Sequence, residues 1–122
     1  MKKMLDARIF DDTWFFELPV NAKFLFIYLL TNEKSGLIGC YELPKALIAL
    51  HLKTDSKEVD ALFGCLLKKV RYINGWVIIK NFERWNPVMN PSVEKAKQKL
   101  ESQLPDRIKG IRDKFQQGVD TL

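Results

Sequence analysis

The sequence predicts a mainly α-helical domain with a small antiparallel sheet, and three stretches carry that prediction. The first is "ELPVNAKFLFIYLLTNEKSG", which is apolar almost all round from Asn21 to about Asn32 and stops at a Ser-Gly step, as a helix at the centre of a fold does. In the second, Asp55 and Glu58 stand at capping-box spacing, and Val59, Leu62, Phe63, Leu66, Leu67 and Val70 follow on one helical face. The third is "RYINGWVIIKNF", where Asn74-Gly75 supplies the two positive-φ residues of a type I′ hairpin turn between β-branched and aromatic runs.

The remaining elements fall between and after these. "GLIGCYEL" (36–43) is short, β-rich and bounded by glycine, so it reads as a strand of about five residues. Pro44 suits a first helical turn, where a missing N–H costs nothing, and it opens a short helix through "KALIALHL" that the turn "LKTD" closes. The capped helix, expected over 55–69, turns Ser56, Lys57, Asp60, Gly64 and Lys68 outward. A two-residue turn then fixes the hairpin register, with Ile73 opposite Trp76, Tyr72 opposite Val77, Arg71 opposite Ile78 and Val70 opposite Ile79. Alternation puts Val70, Tyr72, Val77 and Ile79 on a core face and Arg71, Ile73, Trp76, Ile78 and Lys80 on the other, which is too apolar to stay bare.

Beyond Pro87 and Pro91, Val93, Ala96, Leu100 and Leu104 form a narrow stripe that Ile108, Ile111 and Phe115 continue. Pro105 suits a helix start, so two helices with a kink are expected. The stripes are expected to fold back on the domain's own apolar surface, with pairing to another chain as the alternative. Ile73, Trp76, Ile78, Leu100 and Leu104 are the candidate oligomer or partner face. The order of helix, strand, short helix, turn, capped helix and hairpin is that of a winged helix-turn-helix domain, here 1–91, with a helical extension or linker at 92–122.

Composition limits the functions open to it. With 122 residues, 47% apolar and 29% charged, the chain suits one globular domain with a tail. "FLFIYLL" is its longest apolar run and is far short of a membrane span, and "MKKMLDARIFDD" has acids where a signal peptide is apolar, so a cytoplasmic protein is expected. Cys40 and Cys65 are separated by 24 residues and have only His51 to help them hold a metal. They read as reduced, partly buried thiols. One histidine, no Gly-rich phosphate loop and no Ser, His and Asp arrangement leave no catalytic set, so neither an enzyme nor a cofactor is expected. The net charge is +5, and residues 34 to 84 hold nine Lys or Arg against five Asp or Glu, which concentrates the excess around the capped helix and hairpin and favours a polyanionic partner.

"WFFELPVNAKFLFIYLLTNEKSGLIGCYELP" followed by "GWVIIKNFERWNPVMNPSVEKAK" resembles the N-terminal domain of phage and prophage replication initiators, the replisome organizers, and more distantly the winged-helix domain of DnaD-type primosome proteins. The resemblance runs from about Phe10 to Leu104. It implies a domain that binds double-stranded DNA at a replication origin, joined in a longer protein to a region that recruits helicase-loading or primosome proteins; the chain is then expected to end inside the linker.

Winged-helix geometry assigns the contacts. Ser56, Lys57 and Asp60 meet base edges, Lys53 and Thr54 in the turn meet phosphate, Lys45 adds a phosphate contact beside the short helix's N-terminus, and Lys68, Arg71, Asn74 and Lys80 flank the wing. The wing is short and carries only Asn74 at its tip. With about five phosphate contacts the salt slope is about 4 to 5, so useful affinity is expected to need more than one copy on repeated sites. Two further functions fit the same fold: a winged-helix interaction or oligomerisation module, and a transcriptional regulator.

Overall fold

The computed structural model describes residues 3–87 and 90–118; the last four residues of the predicted extension lie outside the described residues. A 3-10 turn, Ala7–Asp11, leads into α1 (Thr13–Phe16), α2 (Val20–Thr31), β1 (Cys40–Glu42), α3 (Lys45–Leu52), α4 (Ser56–Cys65), β2 (Val70–Ile73), β3 (Trp76–Ile79), α5 (Phe82–Trp85), α6 (Pro91–Ser102) and α7 (Asp106–Gln116). The three strands form one antiparallel sheet in the order β1-β3-β2. The fold is mainly helical with a small antiparallel sheet, the arrangement of a winged helix. No helix among the described residues is long and apolar enough to cross a membrane.

The hairpin register is the expected one, Val70↔Ile79 through Ile73↔Trp76, and it follows from positive φ at Asn74 (52°) and Gly75 (82°). β1 joins the free edge of β3 with Cys40↔Ile78 and Glu42↔Trp76, and Leu43 N–H extends the ladder to Gly75 O at 2.8 Å. Gly39, just before β1, has φ +63° and lies against α5: a Cβ there would stand 2.5 Å from the Phe82 ring. Any side chain at this position would combine left-handed strain with overlap.

The sheet has a core on each side. Val70, Val77 and Ile79 join α2 (Ala22, Leu25, Phe26, Leu29, Leu30), Ile48 of α3, and Val59, Leu62, Phe63 and Leu66. The Phe63 and Tyr72 rings stack at 4.6 Å, which ties α4 to the hairpin. The Tyr41 hydroxyl donates to Leu29 O at 2.7 Å and accepts from Asn32 Nδ2 at 2.8 Å, which ties β1 to the end of α2. The N-terminal segment and α5, neither of them anticipated as elements, close this core with Ile9, Phe15, Phe82 and Trp85. Asp12 caps α1 through Phe15 N–H at 2.9 Å, and Asp6 N–H reaches Trp85 O at 2.8 Å.

On the opposite side, Ile78 packs with Ile38, Cys40, Leu104, Ile108 and Phe115, flanked by Trp76 and Ile111. This second core corrects the proposed partner face. Ile78 and Leu104 are buried against each other's cluster within the chain, Ile73 and Trp76 are half-buried, and Leu100 is exposed. The tail folds back, as the preferred reading had it, in two helices with Pro105 as the N-cap of α7. Docking belongs to α7 and the turn before it. Along α6 the buried residue is Lys97, while Lys95 and Lys99 are solvated.

Phe115 is the anchor of this second core, because the Arg71 guanidinium lies 4.4 Å from its ring centroid and the Lys80 ammonium 5.7 Å. Cys40 lies beneath the docked helix, and burial pushes its thiol up to about 11, whereas Cys65 is exposed. Phe115→Ala is therefore expected to cost about 3 kcal/mol and to loosen α7. An aromatic disulfide reagent at pH 8 checks this: the wild type titrates one fast thiol, Cys65, and the variant titrates two.

Candidate nucleic-acid interface

The helix-turn-helix is built from α3, a three-residue turn and α4. Lys53 ends α3 in the left-handed conformation (φ 55°, ψ 51°), and its N–H and that of Thr54 satisfy carbonyls of the last turn of α3. Asp55 then caps α4, its carboxylate accepting from Glu58 N–H at 2.8 Å; this is the Asp55 half of the expected capping box. Val59, Leu62 and Phe63 fix the buried side of α4, so Ser56, Lys57 and Asp60 project from the other side and all three are exposed. No part of the described chain covers them.

The capped helix is shorter than the expected 55–69. It ends at Cys65, and the next four residues form a turn in which Lys69 N–H and Val70 N–H both reach Leu66 O. The chain has to reverse there so that Tyr72 can come back beneath Phe63, and a helix continued to residue 69 would carry β2 past that contact. Lys68 is thus an exposed residue of the turn, off the helical face.

The remaining predicted contacts divide into two groups. Lys45 starts α3 beside α4, and its ammonium lies 2.7 Å from the Asp60 carboxylate, so this cation is already paired at the surface. Asn74 is exposed at the wing tip, close to β1 through the Leu43–Gly75 bond. Thr54 is half-buried beside Lys53 in a small hollow of about 140 Å³ that Phe24, Leu52, Glu58 and Leu62 also border. Lys45, Lys53, Thr54, Ser56, Lys57, Asp60 and Asn74 therefore lie on or beside the helix-turn-helix and wing tip.

Arg71 and Lys80 do not join them. Arg71 pairs with Ile78 across the hairpin, so its side chain belongs to the α7 face of the sheet, and both cations are drawn to Phe115. They flank the hairpin on the face that alternation gave them, with Ile78, and that face is the one α7 covers, away from α4.

Charge on the α4 surface is nearly balanced. Lys53 and Lys57 stand among Asp55, Glu58 and Asp60, with Lys45 held by Asp60. Beside this surface is a feature the sequence reading missed. Phe16 at the end of α1 and Val20 and Phe24 in the first turns of α2 are 69%, 77% and 53% exposed, and Phe24 borders the hollow beside Lys53 and Thr54. Their spacing was available in the sequence, but a helix apolar all round has no polar face to mark its outer side.

No family model, curated protein or solved structure matches the chain. Among the described residues there is no group of three or more His, Cys, Asp or Glu side chains placed to hold a metal ion. What the geometry offers is a helix with an open polar face, an exposed lysine in the turn before it and a short wing.

The start of α4 depends on its cap, which has one measurable consequence. Asp55→Ala removes the acceptor for Glu58 N–H and is expected to cost about 1 kcal/mol in urea unfolding, with Asp55→Asn retaining most of it.

Proposed function

We propose that the chain is a double-stranded-DNA-binding winged-helix domain that presents α4 to the major groove and the Asn74 tip to the neighbouring backbone. The observation that carries this reading is the open face of α4, where Ser56 and Lys57 stand exposed immediately after the Lys53 turn. Ser56 and Asp60 have the chemistry to read base edges, Asp60 by accepting from a cytosine amino group; Lys53 and Lys57 have the charge for phosphate. In the setting the sequence resembles, the DNA is a phage or prophage replication origin, and recruitment of helicase-loading proteins belongs to another region of a longer initiator.

The near balance of charge on α4 makes a single domain a modest binder, so several copies on repeated sites supply the working affinity. A second reading, a winged-helix module for protein association, draws support from the exposed Phe16, Val20 and Phe24 at the α1–α2 junction, of which Phe24 borders the helix-turn-helix.

Fluorescence anisotropy with labelled duplex at 50 to 200 mM salt tests the first reading. The double variant Lys53→Ala, Lys57→Ala is expected to weaken binding across sequences and to reduce the salt slope by about 2. Unchanged affinity in that variant removes α4 from the interface. Absence of duplex binding at the lowest salt hands the function to the association module.

A further inference from the structure

A second group of cations lies beyond the C-terminal end of α4, at the base of the hairpin. Lys80 N–H donates to Lys69 O at 2.8 Å, which carries the β2–β3 pairing one step beyond Val70↔Ile79 and brings residues 69 and 80 opposite each other. Lys68 precedes this pair in the turn after α4. Asn81, at φ 54°, then turns the chain into α5, whose Arg84 returns its guanidinium toward Asp12 (3.3 Å) and over the Trp85 ring (4.6 Å). Lys68, Lys69, Lys80 and Arg84 thereby share one end of the sheet. Among the described residues Asp12 is the carboxylate ion-paired with this group, and its side chain is mostly buried; Glu83 is exposed and forms no ion pair.

Counted as at α4, with unpaired acids included, the four cations and Arg8 stand against Asp12, the exposed Glu83, and Asp6, which is paired with Arg8 and also acts on Arg84. The balance stays positive, in contrast with the neutral α4 surface where Lys45 is held by Asp60. The crowding is felt within the group. Partial burial lowers the pKa of the Lys69 ammonium, Asp12 opposes the shift, and Arg84, Lys80 and Lys68 add to it. Two members are also held in place, Lys80 near Phe115 and Arg84 on Trp85, so less side-chain freedom is lost when an anion arrives. The Trp85 and Phe115 rings are buried and unavailable for base stacking, which leaves backbone charge as the feature this surface can recognise.

We propose that the hairpin base, Lys68, Lys69, Lys80 and Arg84, is a second, sequence-independent contact for the phosphodiester backbone of nucleic acid, separate from the outer face of α4. Its choice of polyanion rests on the DNA-binding reading, but its residues are independent of those that carry that reading. A domain with two such surfaces grips one bent duplex, or two segments, without lengthening its wing.

The test compares three paired variants of the full chain by anisotropy on labelled duplex and on a single strand of the same length: Lys68→Gln with Lys69→Gln, Lys53→Ala with Lys57→Ala, and Lys95→Gln with Lys99→Gln on the solvated side of α6. The hairpin-base pair is expected to lower the duplex salt slope by about 2 and the single-strand slope by about 1.4, with its loss in log K additive to that of the α4 pair. Loss on both nucleic acids assigns the contact to a single backbone, and loss on duplex alone assigns it to the spacing of two strands. If the hairpin-base pair binds like the wild type, or if the α6 pair loses as much, the proposed surface is overturned and the α4 reading stands on its own result. If the hairpin-base pair loses binding while the α4 pair does not, the α4 reading fails and this one holds. No binding to either nucleic acid at low salt removes both. Lys68→Gln alone, at an exposed turn position, repeats the measurement should the double variant melt early.

Discussion

Strand β3 carries the constraint on which the rest of the structure depends. It is the middle strand, so its backbone must satisfy a ladder on each edge, and its alternating side chains must fill a core on each side. Val77 and Ile79 enter the α2–α4 core, and Ile78 enters the α7 core. A slip of one residue would exchange these faces, setting Ile78 under α4 and two residues under a helix shaped for one. Local chemistry prevents the slip. Asn74 and Gly75 pin one end of the strand through a turn that accepts a single register, and Gly39 pins the other by letting Ile79 N–H reach its carbonyl while α5 closes over it.

The two cores are not equally secure. The α2 side is sealed by fully buried aliphatic and aromatic side chains whose polar neighbours, such as Tyr41, are satisfied. The α7 side incorporates two guanidinium groups. Arg112 is largely buried beside Glu101 at 3.6 Å, and the Nε atoms of both Arg112 and Arg71 are buried without a hydrogen-bond partner. An unmet buried donor costs about 1 to 3 kcal/mol, whereas a cation over an aromatic face returns about 0.5 to 2. The net contribution of these polar groups to docking is thus small, and the apolar contacts of Leu104, Ile108 and Phe115 hold α7 in place. Of the two cores, the one beneath α7 opens at the lower cost.

Much of the architecture was legible because it is written locally. The Asn-Gly pair fixes four strand partners by counting, Asp55 marks the start of α4, and Pro105 divides the tail, all without reference to distant residues. What sequence did not reveal depends on which surfaces meet. The end of α4 is set by Phe63 stacking on Tyr72 across the hairpin. Alternation already gave Arg71 and Lys80 the face of Ile78, but that Phe115 would arrive there and engage both cations was not readable from the hairpin. The short α1 and α5 have too few residues for a periodic signal and form because Phe15, Phe82 and Trp85 close an existing core.

The candidate site shows the same division between local and distant information. Its open helical face was readable from polar residues opposite an apolar stripe, whereas its electrostatic strength was not, because Lys45 meets Asp60 only once α3 and α4 have packed. That pairing removes a cation from the surface where a winged helix most needs one. The excess charge of the central segment reappears where β2, β3 and α5 converge, at positions that sequence spacing scatters over 68–84. A charge count over a segment therefore identifies a basic domain correctly while misplacing its basic surface, since folding pairs some cations with carboxylates and collects the others. On the DNA-binding reading proposed above, a domain with a two-residue wing and a charge-balanced α4 face would draw its backbone attraction from the collected cations and leave discrimination among bases to the open helix.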